Sequence, residues 1–388
     1  MKILIASDLH WPTINGVATF SRNLAQGLAG MGHEVVVIAP SQTGRKYKEV
    51  DVNHVIYRTT SVPFPFYQNF KISLTPLREV KKIINEFDPD VIHIQMPMLI
   101  GQAVMKYGNK CGIPIVTTNH AIPENLMDNL KLLAPVARPI NYMLKDYGAR
   151  FHSNADYVTL PTKSAIHMLN ATEKLTVPIE AVSNGIDLCL YKVGVPSSDL
   201  LKRFSLPSDR PIITYIGRID AEKHLSVLIR AFVRVLAVKR VHLLVVGDGT
   251  DISNLKSLAS ELGILNDITF TGRVSDDDKV ALHQVGTVYC MPSPAELQSI
   301  ATLEAMASGQ PIVAVDAGAL GELCQDGRNG YLCEQDNDEE MAAGLLSIIS
   351  DKKLRATMSE QSVAIAKTHD LKETLKRFEA IYTKLINK

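Results

Sequence analysis

Short apolar runs rich in Val and Ile alternate with longer amphipathic stretches along the whole chain. This is the pattern of βα units wound around a parallel sheet buried on both faces. In the first half it predicts strands at residues 2–6, 34–40, 54–58, 91–95, 114–119, 157–161 and 179–183. A second series is predicted at residues 211–217, 242–247, 268–271, 288–291, 311–315 and 330–333. Between the two, residues 184–210 hold Pro196, Ser197, Ser198, Pro207 and Ser208, a composition suited to an interdomain linker. Val17, Phe20, Leu24 and Leu28 form one helical stripe after the first strand, ending at Gly32. Leu371, Leu375, Phe378, Tyr382 and Leu385 form another over residues 371–388, which predicts a last helix docked on a domain surface.

At 388 residues the chain exceeds what one core sustains, so two domains are expected, 1–185 and 186–370. A hydrophobic share of 46% and a charged share of 21% fit a soluble globular protein rather than a disordered or fibrous one. The formal net charge of zero removes the electrostatic footprint of a nucleic-acid binder. Cys111, Cys189, Cys290, Cys324 and Cys333 are widely spaced and stand mostly beside apolar residues. They are read as buried free thiols of a reducing compartment, with no zinc-ligand spacing among them. The first apolar run turns polar at Ser7 and Asp8, too early for a secretory signal or a membrane span. A cytoplasmic protein is expected.

Ligands of open parallel sheets bind beyond the carboxyl ends of the strands, and candidate residues cluster there. Gly16 opens the helix after the first strand, where a missing Cβ lets backbone amides approach a phosphate. Arg218 and Lys223 follow the first strand of the second series; a forked guanidinium and an ammonium together suit a diphosphate. The alternative is a pair of solvated or salt-bridged cations. Glu296 falls in a loop after a strand, and Glu304 about two turns into a helix whose neighbours are apolar. A buried carboxylate needs a partner, either ribose hydroxyls or an internal lysine. His120 lies just past a strand, whereas His93, inside one, is assigned a structural role.

Asn184-Gly185-Ile186-Asp187, Gly217-Arg218 with Lys223, the Glu296 and Glu304 pair, Gly318 with Glu322, and the run Gly327 to Leu332 occur in order. Together they resemble the signature of glycosyltransferase family 4 over essentially the whole chain. The resemblance implies an α/β, GT-B fold: two Rossmann-like parallel-sheet domains facing across a cleft, the C-terminal helix returning to the N-terminal, acceptor-side domain. It implies a retaining transfer of a hexose of glucose or mannose type from a nucleoside diphosphosugar. Arg218 and Lys223 would hold the diphosphate and stabilise the departing charge. Glu304 would bind the ribose, Glu296 the sugar hydroxyls, and Gly16, Gln298, Ser299 and Ile300 would line the nucleotide sugar. His120 would lie against the donor sugar, with no protein nucleophile, the leaving phosphate taking the acceptor's proton. Ser299 departs from the glycine usual at its place.

No cofactor or metal is expected. Asp88-Pro89-Asp90 precedes a strand and Asp276-Asp277-Asp278 opens a helix, where acids suit the positive dipole end. Glu296-Leu297-Gln298-Ser299 and the run His120 to Asn125 are similar to lipid-acting members, among them diacylglycerol glucosyltransferases and related mannosyltransferases. That likeness points to a glycerolipid acceptor and an enzyme peripheral on the inner face of a membrane. Lys131, Arg138, Lys145 and Arg150 over an apolar stripe, and Pro63 to Tyr67 followed by Lys71, Arg78, Lys81 and Lys82, would dock on anionic headgroups. An amphipathic core helix is the equal alternative. Soluble-acceptor or polysaccharide transfer and nucleotide-sugar epimerisation stay open on the same residues.

Overall fold

A computed structural model describes residues 1–13, 15–64, 70–74, 76–120, 137–170 and 175–388. The chain divides into two compact units, Met1–Asn184 with Lys372–Lys388, and Gly185–Leu371.

In the first unit the strands are β1 (Lys2–Ala6), β2 (Glu34–Pro40), β3 (Tyr47–Asp51), β4 (His54–Thr59), β5 (Ser61–Pro63), β6 (Lys71–Ser73), β7 (Val91–Ile94), β8 (Ile115–Thr118), β9 (Tyr157–Leu160) and β10 (Ile179–Ala181). Eight form one sheet in the order β10-β9-β8-β7-β1-β2-β4-β3, and β5 and β6 pair separately. The large sheet is parallel except for β3, which runs against β4 at the edge. Central strands such as β1 and β7 are buried along their length because helices cover both faces. The pattern missed β3, β5 and β6: β3 alternates half-exposed and exposed positions, so it carries no apolar run.

The helix Leu371–Ile386 belongs to the first unit, although it is last in sequence. Its buried stripe includes Leu375, Phe378 and Tyr382. A Cβ on Gly27 would stand 2.3 Å from Leu375 Cδ1, so the helix Gly16–Gly30 offers a bare surface there. The Tyr382 hydroxyl is 2.6 Å from His93 Nδ1, and His93 Nε2 is 2.6 Å from Thr118 Oγ1. His93 therefore ties the last helix to the sheet, in keeping with the structural role read for it.

The second unit holds β11 (Ile212–Ile216), β12 (His242–Val246), β13 (Ile268–Phe270), β14 (Val288–Met291), β15 (Ile312–Val315) and β16 (Gly330–Cys333), all parallel, in the order β13-β12-β11-β14-β15-β16. Residues 184–210 are not a free linker. They contain the helix Ser198–Arg203, and Tyr191, Leu200 and Leu206 are buried in the core of this unit.

The cysteines are all free, but Cys111 and Cys189 are exposed; only Cys290, Cys324 and Cys333 are buried. Cys111 closes a surface helix and Cys189 sits in a turn, positions that apolar sequence neighbours do not reveal. Neither aspartate cluster gathers metal ligands among the described residues. Asp90 accepts from the Lys2 amide at 2.7 Å, and Asp278 pairs with Arg203.

Candidate active site

In the second sheet the winding reverses between β11 and β14, which stand side by side with their loops diverging. Such a switch point opens a crevice beyond the strands' carboxyl ends. Arg218 leaves β11 directly and Lys223 ends the short turn Ala221–Lys223. Glu296 lies in the loop after β14.

These residues form one ionic network. Arg218 donates through Nη1 to Asp220 and through Nη2 to Glu222. Lys223 Nζ stands 2.8 Å from Glu296 Oε1 and 3.5 Å from Ser293 Oγ. Asp220 uses its other oxygen to accept from the Thr250 amide at 3.0 Å and hydroxyl at 2.9 Å, linking the β11 loop to the loop after β12. The salt-bridged state weighed as an alternative for the two cations is thus present. Each already has a carboxylate, so a diphosphate must exchange with Asp220, Glu222 or Glu296 for those N–H donors.

Gly318, after β15, fixes the height of the Glu296 loop. Its φ is +58°, and a Cβ there would meet the Glu296 carbonyl oxygen at 2.5 Å. The neighbouring Ala319 amide donates to that same carbonyl at 2.8 Å.

Ser299 caps the helix Ile300–Ala307, its hydroxyl accepting from the Thr302 amide at 3.3 Å. Its φ of −79° is ordinary for a serine, so no glycine is required by the backbone. Gln298 is buried, with Nε2 3.5 Å from His369 Nδ1. Because the helix begins at Ile300, Glu304 stands just over one turn in, not two. It is buried, with Lys279 Nζ at 2.6 Å from Oε1 and His283 Nε2 at 3.2 Å from Oε2. Burial works to raise its pKa, but Lys279 and His283 hold it down at about 2. Burial also keeps His283 below the ordinary range, so it donates as a neutral ring. The internal lysine weighed as an alternative is thus present.

In the first unit Gly16 opens its helix behind the Asn15 cap, whose Oδ1 accepts from the Ala18 amide at 2.8 Å. His120 follows β8, with Nε2 2.8 Å from Oε1 of buried Gln95 and its ring 4.9 Å from that of Phe20. Burial, with a contribution from His152, holds its pKa at about 3. Neutral His120 therefore carries its proton on Nε2 and offers Nδ1 as a lone pair. Asp8, after β1, accepts from the Ile100 and Gly101 amides at 3.0 and 3.2 Å and secures the start of the helix Leu99–Cys111.

A family model described as Glycosyltransferase Family 4 matches residues 14–189, and one described as Glycosyl transferases group 1 matches residues 198–363. The chain belongs to glycosyltransferase family 4. It is 28% identical over 98% of both chains to a GDP-mannose-dependent alpha-mannosyltransferase of Mycolicibacterium smegmatis. It is 26% identical to an alpha-monoglucosyldiacylglycerol synthase of Acholeplasma laidlawii, covering 100% of this chain and 98% of that one. Among solved structures, sucrose-phosphate synthase from Thermosynechococcus elongatus superposes with a TM-score of 0.82 at 18% identity, over 100% of this chain and 99% of that one. Anabaena HepE in complex with UDP-glucose gives 0.75 at 21%, over 99% and 100%. The fold is GT-B, and the enzyme transfers a sugar from a nucleotide sugar.

Of the residues singled out in this family 4 sequence, Arg218, Lys223, Glu296, Gln298, Ser299, Ile300 and Glu304 all lie in the second unit, and Gly16 and His120 in the first. Sequence reasoning missed Asp220, Glu222, Lys279, His283 and Gln95. A signal did exist for Lys279 and His283: four apart on one helix, they share a face. The membrane features are incompletely described. Residues 65–69, 121–125 and 131–136 lie outside the described residues, as do the side chains of Arg138 and Lys145. Met143 is exposed, and Arg150 pairs with Asp146 at 2.7 Å. No described helix is long and apolar enough to cross a membrane.

Proposed function

We propose that this chain is a retaining, metal-independent hexosyltransferase that moves glucose or mannose from a nucleoside diphosphosugar to a membrane glycerolipid. The observation that carries the donor half is the switch-point network of Arg218, Lys223 and Glu296 with Glu304 on the following helix. In this reading Arg218 and Lys223 exchange their carboxylates for the diphosphate and stabilise the charge left on it, the part a cation plays elsewhere. Glu296, joined to Lys223, meets the sugar hydroxyls; Gln298, Ser299 and Ile300 line the nucleotide sugar. Gly16 lies at the phosphates and neutral His120 against the donor sugar. The lipid acceptor is supported by the diacylglycerol synthase among the full-length relatives. Exposed Leu74, Leu99 and Met143 in the first unit supply apolar area for an enzyme peripheral on the cytoplasmic face. The mannosyltransferase relative favours GDP-mannose as an equal donor candidate.

The test incubates the purified chain with UDP-glucose or GDP-mannose and vesicles containing diacylglycerol and anionic lipid, with and without chelator. The expected product is an α-linked glycolipid, formed at the same rate in EDTA. A β-linked product, a requirement for added Mg²⁺ or Mn²⁺, or transfer to soluble acceptors alone would overturn the corresponding part.

A further inference from the structure

Gln95 is fully buried just beyond β7, and its side chain reaches His120, 25 residues further along the chain. Its backbone is held by the N–H that donates to the Ala6 carbonyl at 2.8 Å, at the end of β1. The side-chain carbonyl faces the ring, with Oε1 2.8 Å from His120 Nε2. Gln95 Nε2, by contrast, is buried with no hydrogen-bond partner among the described residues. An unpaired buried amide N–H is destabilising, and a methionine in its place would avoid that cost. What the glutamine contributes is therefore its oxygen. A carboxylate, a commoner partner of an imidazole, would also fix the tautomer but would favour the imidazolium. A neutral amide oxygen fixes the proton and adds no charge. Amide and ring are coupled, since reversing the amide would set an N–H against the ring and leave the imidazole proton on Nδ1. His120 is half-buried where Gln95 is enclosed, so a ligand can meet the ring without touching Gln95.

We propose that Gln95 is a positioning residue of the sugar transfer: its Oε1 keeps the His120 proton on Nε2, so that Nδ1 meets the donor sugar as an acceptor for one of its hydroxyls. The proposal rests on the reading that His120 lies against the donor sugar. Gln95 acts only through the ring. Phe20, its ring 4.9 Å away, packs on the same imidazole. His93 and His152, the titratable groups that interact with it, are kept neutral by burial.

The test compares the unmutated chain with Gln95→Met and Gln95→Glu in three measurements: sugar transfer from UDP-glucose and GDP-mannose, affinity for UDP and GDP, and the ring-nitrogen NMR shifts of the histidines. In Gln95→Met the His120 ring is expected to lose its single tautomer and kcat to fall about tenfold, the worth of one misdirected hydrogen bond. The nucleotide Kd should stay within about twofold. An unchanged kcat, or a proton that stays on Nε2 without Gln95, would overturn the proposal. Gln95→Glu gives a second reading that does not depend on the methionine variant folding. Its carboxylate accepts from Nε2 at high pH, and the pair takes up a further proton as the pH falls. Whether the shared proton then sits on Nε2 or on the carboxylate, Nδ1 carries the other. Relative to the unmutated chain, Gln95→Glu is therefore expected to recover turnover at about pH 8.5 and to lose about fivefold or more by about pH 6. A constant ratio between the two chains counts equally against the proposal. Full kcat in His120→Ala would instead overturn the reading beneath it, that His120 meets the sugar.

Discussion

Lys223 Nζ stands 2.8 Å from Glu296 Oε1, joining the cation assigned to the diphosphate with the carboxylate assigned to the sugar. The two are 73 residues apart in sequence, and each sets the position of the other. Lys223→Met and Glu296→Gln are each expected to lower kcat by about two orders of magnitude, on the scale of a lost transition-state contact. Because they act as a unit, the double variant should be little worse than the poorer single. Steady-state kinetics on the four chains measures this; additive losses would separate the two roles.

Gly318→Ala tests whether backbone approach positions the Glu296 loop. The new Cβ meets the Glu296 carbonyl at 2.5 Å in a left-handed conformation, so the loop must move. Strain of this kind costs about 1–3 kcal/mol. Thermal unfolding should register it, together with a drop in turnover larger than that of Gly321→Ala, whose nearest neighbour would be 3.9 Å away.

Glu304→Ala and His120→Ala are expected to separate binding from turnover. Removing Glu304 leaves Lys279 and His283 without their buried acceptor, and nucleotide affinity should fall at least tenfold. His120→Ala should lower kcat with the nucleotide Kd nearly unchanged. Equal, negligible effects would remove both residues from the reaction.

Stability should fall as the pH drops below about 6.5. His10, His93 and His120 are held at about 3 and His152 at about 4, in each case chiefly by burial. Between those values and the unfolded value near 6.5, the unfolded chain takes up protons that the folded chain refuses. Asp8 opposes this: burial raises it to about 6, so its folded form keeps a proton and its stabilisation fades as pH rises through 6. The histidines outnumber it. Thermal melts from pH 7.5 to 5 check the net sign, and an NMR titration should show His120 neutral at pH 5 with its proton on Nε2.

The parallel strands were legible because a strand covered on both faces must be apolar throughout, as Val91–Ile94 and Ile212–Ile216 are. Tyr47–Asp51 was not, since an edge strand with charged side chains has no such run. The candidate site was legible as positions just beyond strands, together with the order of motifs. Its pairing was not. The sequence shows Arg218 and Lys223 as charges and Glu304 as a carboxylate among apolar residues, but not that Asp220, Glu222, Glu296 and Lys279 already hold them.

Periodicity and motif order by themselves determined two parallel α/β units, the sugar-transfer family and the residues worth testing, because burial on both sheet faces and position after a strand leave local marks. Only the tertiary structure decided that the last helix anchors on His93 through Tyr382, and that Ser299 needs no glycine conformation. It also decided which partner each buried charge has. Charge pairing depends on separations of a few ångströms between residues far apart in the chain, as with Lys223 and Glu296, and side-chain composition alone does not encode those distances.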